Sequence, residues 1–223
     1  MPMTRRRALD ALGACGLTLL ARPAGAAAVA ATPGCAQPLY LTFDTGHMGV
    51  APLVAEVLGR LQLKASFFLA NEKTLDGGSS LDERWAPWWR ERAREGHLFG
   101  SHTFDHVYWR GDLPGGRFRL RPTFGPQAER TLEWDGPSYC IELQRSATRF
   151  EQMSGQRMAP LFRAPGGKTS PALLAAARQG GWHHVPWSPA GFLGDELPSE
   201  QHPNERLLRQ ALASIRPGDI LLA

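Results

Sequence analysis

The first chemically suggestive stretch is Leu41-Thr-Phe-Asp-Thr-Gly-His-Met48, where an apolar run delivers one carboxylate, Asp44, beside a glycine turn. An acid at the end of a strand is well placed for chemistry, because functional groups concentrate on loops held by a rigid scaffold. Metal or acid/base chemistry needs partners for it. Ser101-His-Thr-Phe-Asp-His106 places two imidazoles four residues apart; on a helical turn that spacing puts both on one face, within reach of one metal ion. Two histidines so spaced also arise by chance. Asp105 between them reads as a ligand, as a group orienting a ligand, or as a surface acid. Phe162-Arg-Ala-Pro-Gly-Gly167 sets Arg163 at a strand end, where a guanidinium can grip a carboxylate with two donors; an ordinary loop arginine fits equally well. Gly166-Gly-Lys-Thr169 looks like part of a phosphate loop, but Phe162 stands where that loop needs its first glycine, which excludes it.

These groups must be positioned by regular elements, and the hydrophobic pattern supplies them. Residues 38–43 read as a buried strand, 50–63 as an amphipathic helix and 64–71 as a second strand. This β-α-β unit argues for a parallel sheet with crossover helices. Residues 81–96 predict a helix, 97–106 a short strand running into a loop, and 138–155 a long helix. A strand and turn at 159–167, a helix at 170–181 with Ser170 as N-cap and Gly180 as C-cap, a strand at 182–188, a helix at 204–215 and a strand at 218–223 complete the series. Residues from about 108 to 136, dense in Gly, Pro and Arg, break the alternation and read as an insertion across one face. No internal repeat or linker is visible. The pattern suits one α/β domain, either a parallel barrel or an open sheet, with active groups at the C-terminal strand ends.

At 223 residues, with 43% hydrophobic and 21% charged residues, the chain can bury one substantial core without disulfide staples. Its first 31 residues combine a basic start, an apolar stretch of about a dozen residues and small-residue sites, the layout of a secretory signal peptide rather than a membrane span. Thr4-Arg-Arg-Arg-Ala-Leu9 approximates a twin-arginine signal, with a general secretory signal as the alternative. The expected location is therefore periplasmic or secreted, with residues 32–223 as the mature domain and no membrane span within it. The 25 basic and 21 acidic residues give +4, but Arg5, Arg6, Arg7 and Arg22 against Asp10 lie in the leader, leaving 21 against 20. The basic balance is thus no argument for nucleic-acid binding. Cys35 and Cys140 remain after the leader and could pair in an oxidising compartment; spacing alone does not decide it.

Taken in order, Thr42–Gly46, Ser101–His106, Phe162–Gly167, Val185–Ser188 and Pro217–Ala223 resemble the motif series of the polysaccharide deacetylases, the NodB-homology family, from about Leu39 to Ala223. The histidine pair and the Arg-Ala-Pro-Gly turn are the most specific parts. The resemblance implies an α/β fold of the distorted (β/α) barrel type and hydrolysis of acetyl groups, N- or O-linked, on a polysaccharide or oligosaccharide. It implies Asp44 as the general base toward the attacking water, and His102 and His106 as ligands of a divalent metal, usually zinc, with cobalt or another divalent ion as alternatives. It implies Arg163 as the residue orienting the base. Trp187, Leu221 and Gly166 would face the substrate, Leu221 as lining of the acetyl pocket. The chemistry is coherent: an amide is a poor electrophile, a divalent ion polarises it, and a fixed carboxylate removes the proton from water.

Two departures qualify the expectation. The family commonly carries a metal-binding acid directly after the base, and here Thr45, a weak ligand, occupies that place. Catalytic zinc usually has three protein ligands, so either another group, such as nearby His47, completes the set, or the metal is held more weakly. The fifth motif normally ends in a histidine that serves as general acid; Ala223 stands immediately before that position, so a barrel lacking its last elements is expected. The fourth motif shows no acid beside Trp187, and Asp195 lies further along. Trp85, Trp88, Trp89, Tyr108 and Trp109 could stack on sugar rings or pack internally, and Arg117, Arg119 and Arg121 could favour an acidic polymer or simply be solvated. The rival readings are a catalytically impaired glycan-binding relative and a hydrolase of a non-carbohydrate amide.

Overall fold

A computed structural model describes residues Ala36–Ala223 of the protein. The leader, Cys15 and Cys35 lie outside the described residues, and so does the question of Cys35 pairing with Cys140. In chain order the elements are β1 (Tyr40–Asp44), α1 (Ala51–Arg60), β2 (Ser66–Leu69), α2 (Ala86–Arg94), β3 (Leu98–Ser101), β4 (Val107–Leu113), β5 (Arg117–Pro122), β6 (Leu132–Asp135), α3 (Gly136–Ser154), β7 (Leu161–Phe162), α4 (Pro171–Gln179), β8 (His183–His184), α5 (Asn204–Ser214) and β9 (Ile220–Leu222).

Six strands form one parallel sheet in the order β8-β7-β3-β2-β1-β9. The register sets Asp44 opposite Phe68, Leu69 opposite Ser101, and Ser101 opposite Phe162, so the segments following β1, β2, β3 and β7 emerge side by side at one end. The chain between β8 and β9 bends back onto β9: Ser188 donates to the Ile220 carbonyl at 2.9 Å, and Leu193 to that of Leu222 at 2.8 Å. The result is a curled half-barrel of the expected α/β class.

Two apolar clusters hold the helices on this sheet. Phe67, Leu69, Trp89, Phe99, Phe150 and Met153 fill one, with Phe99 stacked on Phe150 at 4.3 Å between ring centres. Tyr139, Leu143, Phe162, Leu173 and Trp182 anchor the other. The helix α3 serves both because its buried positions recur at three- and four-residue spacing. Asp135 caps it by accepting from the Ser138 amide, and Gly155 ends it in the left-handed region at φ 74°. Ser170 caps α4 as expected, accepting from the Leu173 amide. The tryptophans of the second helical segment belong to this packing. Trp89 is buried, its indole N–H on the Ser80 carbonyl, and Trp88 sets its face edge-on to Trp89 at 4.6 Å. Trp85 packs on the same cluster. The platform reading for these three is therefore replaced by a core role.

Residues 107–135 are more ordered than their Gly, Pro and Arg content suggests. They form a three-stranded antiparallel meander, β4-β5-β6. In β5, Phe118 and Leu120 are buried while Arg117 and Arg119 face water, the two-residue alternation of a half-buried strand. Arg117 pairs with Glu133 at 2.8 Å and Arg121 pairs with Glu129, so two of the three arginines already have acidic partners.

The return of the chain onto β9 depends on Gly191, where an added Cβ would run into the Ile220 carbonyl. Overpacking of this kind costs about 1–3 kcal/mol. Gly191→Ala is expected to lower the midpoint of thermal unfolding by several degrees, measured by circular dichroism; an unchanged midpoint would show that this seam does not contribute to stability.

Candidate active site

At the exit of β1, Asp44 meets Arg163, which the short strand β7 delivers from the other side of β3. Arg163 Nη1 donates to Asp44 Oδ1 at 2.9 Å, and Nε donates to the Val185 carbonyl at 3.1 Å. The guanidinium has no solvent exposure and lies 4.4 Å above the Phe68 ring. Asp44 itself is nearly buried. Burial outweighs the arginine and lifts its carboxyl from the ordinary 3.8 to about 6.

The histidines sit on a tight turn between β3 and β4 rather than on a helical turn. Thr103 and His106 adopt φ of 59° and 50°, a sparsely populated conformation for such residues. The turn is pinned from below. Glu142 of α3 accepts from the Asp105 amide at 2.5 Å, and Arg145 bridges Glu142 and Asp105 at 2.6 and 2.8 Å. Asp105 is thereby committed to α3. The two imidazoles end up 4.9 Å apart between ring centres.

Both outer nitrogens are hydrogen-bonded. His102 Nδ1 lies 2.9 Å from the Arg163 carbonyl, which can only accept, so this nitrogen carries the proton. His106 Nδ1 lies 2.7 Å from Thr123 Oγ1, whose own proton has an acceptor in the His106 carbonyl at 3.3 Å, so the hydroxyl oxygen is able to accept from the ring. With Nδ1 protonated, each Nε2 keeps a lone pair. Burial first, then for His102 the nearby Arg163, and for His106 its neighbour His102, push each imidazole down to about 3. Both rings are neutral near pH 7. His102 Nε2 stands 3.5 Å from Asp44 Oδ2; with the ring neutral, this is an acceptor facing an acceptor and not an ion pair. Two buried lone pairs beside a carboxylate, with the outer ring nitrogens already hydrogen-bonded, are a donor set suited to a divalent ion of the zinc class. Among the described residues, no three His, Cys, Asp or Glu side chains stand ready around one point as a closed ligand set.

The remaining expected residues fall around this centre. Thr45 is buried with its hydroxyl occupied: it accepts from the Ala70 amide at 2.8 Å and donates toward Glu72 Oε1 at 3.1 Å or the Ala70 carbonyl at 3.2 Å. His47 is exposed and its Nδ1 accepts from the Gly49 amide, so it does not join the pair. Trp187 stands 5.7 Å from the Arg163 guanidinium and abuts Gly167, while Gly166, at φ 60°, abuts Tyr108. Tyr108 packs edge-on to His106 at 5.1 Å. Leu221 is buried in β9 beside Leu41, its carbonyl accepting from the Thr42 hydroxyl. Sequence reasoning did not single out Thr123, Glu142, Arg145 or Glu72 as part of the site. Glu72 is buried, and burial lifts its carboxyl to about 8, with Glu196, Asp44 and Asp195 adding to the effect. Asp195, half-buried, is lifted to about 7, again mainly by burial and then by Asp44.

The family described as Polysaccharide deacetylase matches residues 31–185. The chain belongs to the polysaccharide deacetylase family. It is 27% identical to a chitooligosaccharide deacetylase of Azorhizobium caulinodans over 82% of this chain and 71% of that protein. It is 33% identical to a chitin deacetylase of Colletotrichum lindemuthianum over 32% of this chain and 29% of that one. Among solved structures, the Colletotrichum chitin deacetylase superimposes with a TM-score of 0.61 at 17% identity, covering 85% of this chain and 74% of the other. A pseudoenzyme of the same fold from Bacillus anthracis gives 0.58 at 16%, covering 83% of this chain and 54% of its own length. These structures share the fold; the chain spans little more than half of the latter.

Two variants test the site as built. Thr123→Val removes the acceptor that holds the His106 tautomer and should weaken zinc or cobalt binding about 10- to 100-fold in a calorimetric titration; unchanged affinity would separate Thr123 from the site. Arg163→Met leaves Asp44 buried without its cation and should cost about 3–5 kcal/mol. Adding Asp44→Asn should recover much of that loss in chemical denaturation, whereas additive losses would mean the two residues are not coupled.

Proposed function

We propose that the chain is a metal-dependent hydrolase that removes acetyl groups from an N-acetylated or O-acetylated polysaccharide, with Asp44 as the general base. The observation that carries this reading is a nearly buried carboxylate gripped at one oxygen by Arg163, its other oxygen turned toward an imidazole lone pair. His102 and His106 would hold the ion, zinc in first place and cobalt or another divalent ion as alternatives. A divalent ion held there supplies Lewis acidity for a carbonyl oxygen and for water. Arg163 Nη1 occupies Oδ1, so the proton of the attacking water goes to Oδ2 of Asp44. A carboxyl lifted to about 6 is a stronger base than an ordinary aspartate and is still mostly ionised at neutral pH. Water oxygen joins the carbonyl carbon, and the bond from that carbon to the sugar nitrogen or oxygen breaks as the leaving atom takes up a proton.

The relatives named for chitooligosaccharide and chitin support a glycan as substrate. Tyr108 and Trp187 at the rim, against the glycine turn 166–167, are placed to receive a sugar ring. The leader pattern in residues 1–31 supports a periplasmic or secreted location. No helix among the described residues is long and apolar enough to cross a membrane.

A second reading, a catalytically impaired glycan-binding relative, is favoured by the lack of a closed three-ligand set among the described residues. Acetyl release from chitooligosaccharide during zinc or cobalt titration separates the two. The hydrolase reading expects metal-dependent release that falls about 10²- to 10⁴-fold in Asp44→Asn. Sugar binding without release at any metal concentration would decide for the second reading.

A further inference from the structure

The carboxylate missing at Thr45 has a counterpart one strand away. After β2 the chain runs as Ala70-Asn-Glu72, and this segment is tied to both halves of the site. On one side, the Ala70 amide donates to Thr45 Oγ1. On the other, the His102 amide donates to the Leu69 carbonyl at 2.9 Å, and the Asn71 amide donates to Phe104 within the histidine turn at 2.7 Å. The backbone of Glu72 is itself fixed by Ser80, whose Oγ accepts from the Glu72 amide at 3.0 Å and whose amide donates to the Glu72 carbonyl at 2.8 Å. The Glu72 side chain then turns inward, 5% exposed, and meets the Thr45 hydroxyl at 3.1 Å. Ser80 Oγ donates to the Ala70 carbonyl at 2.6 Å, and Glu72 Oε1 is the nearer of the two acceptors within reach of the Thr45 proton.

Among the described residues no Lys, Arg or His donates to this carboxylate, and Thr45 is its side-chain hydrogen-bond partner. Asp44, Asp195 and Glu196 share its surroundings, and Arg163 is already committed to Asp44. A buried acid in such company lacks a counter-charge. The acids alone would not define a site. The independent observation is the pair of buried imidazoles, each with its outer nitrogen bonded and its Nε2 lone pair left over.

We propose that Glu72 supplies the third protein ligand of the divalent ion held by His102 and His106, replacing the acid that position 45 lacks. This inference rests on the metal-dependent reading above and deepens it. A glutamate has one methylene more than an aspartate. From the end of β2 it reaches the Thr45 hydroxyl, and a change of its side-chain torsions releases that hydroxyl and turns the carboxylate to the ion. Thr45 is then the small neighbour that leaves room for the Glu72 side chain and holds it when no ion is bound.

The test is cobalt and zinc titration of chelator-treated protein, read by calorimetry and by the visible absorption of bound cobalt. Glu72→Gln keeps the shape and the hydrogen bond to Thr45 but is a far poorer ligand. It should lose about 10- to 100-fold in affinity and alter the cobalt spectrum. Thr45→Asp should restore binding, and in that background Glu72→Gln should change affinity by less than about threefold, as expected when two residues compete for one role. If Glu72→Gln does not fold, Glu72→Asp, one methylene too short, should show the same loss and the same rescue. Wild-type affinity and spectrum in Glu72→Gln, together with loss of both in His102→Ala, would overturn the role of Glu72 and leave the metal site standing. A wild-type protein that binds neither ion would overturn both.

Discussion

One buried guanidinium organises the site. Arg163 arrives on a two-residue strand, loses all contact with water, and is held by the Val185 carbonyl and the face of Phe68. From there its side chain fixes Asp44 and its backbone carbonyl fixes the ring of His102. A single residue thus sets the orientation of the Asp44 carboxylate and the tautomer of the His102 imidazole, and the parallel register of β1, β2, β3 and β7 brings the two together. A buried ion pair of this kind contributes little net stability, because desolvation offsets the attraction. Its value lies in geometry: with Asp44 Oδ1 occupied, only Oδ2 is free for chemistry.

The electrostatics follow from that placement. Burial opposes a positive charge at His102 and at His106, and the Arg163 guanidinium adds to the effect at His102, so both rings remain neutral. Acids, in contrast, accumulate: burial lifts the carboxyls of Asp44, Glu72 and Asp195, and the charge of Asp44 adds to the effect at Glu72 and Asp195. Lone pairs and acids face inward while the one committed cation is used up. Such an arrangement is stable only if protons or a cation share the space.

Much of this was readable in the sequence. The alternating helices and strands carried their own periodicities, Ser170 and Gly180 marked the ends of α4, and Asp44, His102, His106 and Arg163 could be picked out as strand-end groups of suitable chemistry. Three features escaped for physical reasons. The loop after β3 could be read from the sequence but its tight turn could not, because positive φ at Thr103 and His106 leaves no trace in residue type, since neither is glycine. The meander of residues 107–135 was obscured by its glycines and prolines, although Arg117-Phe-Arg-Leu-Arg121 alternates as a strand should. The contact of Glu72 with Thr45 escapes the sequence because it is made across two strands. The rule that singled out Asp44, an acid just beyond a parallel strand, also points to Glu72, three residues past the end of β2. Thr123 and Glu142 carry no such mark; only tertiary structure sets them behind the histidine turn.

The site depends on both imidazoles being neutral, with Nδ1 protonated and the Nε2 lone pairs free. Long-range proton–nitrogen NMR correlation on the metal-free protein at neutral pH reads this state directly. The Nδ1–H tautomer is expected for both His102 and His106. A doubly protonated His102 paired with Asp44, or an Nε2–H tautomer at either ring, would overturn this assignment.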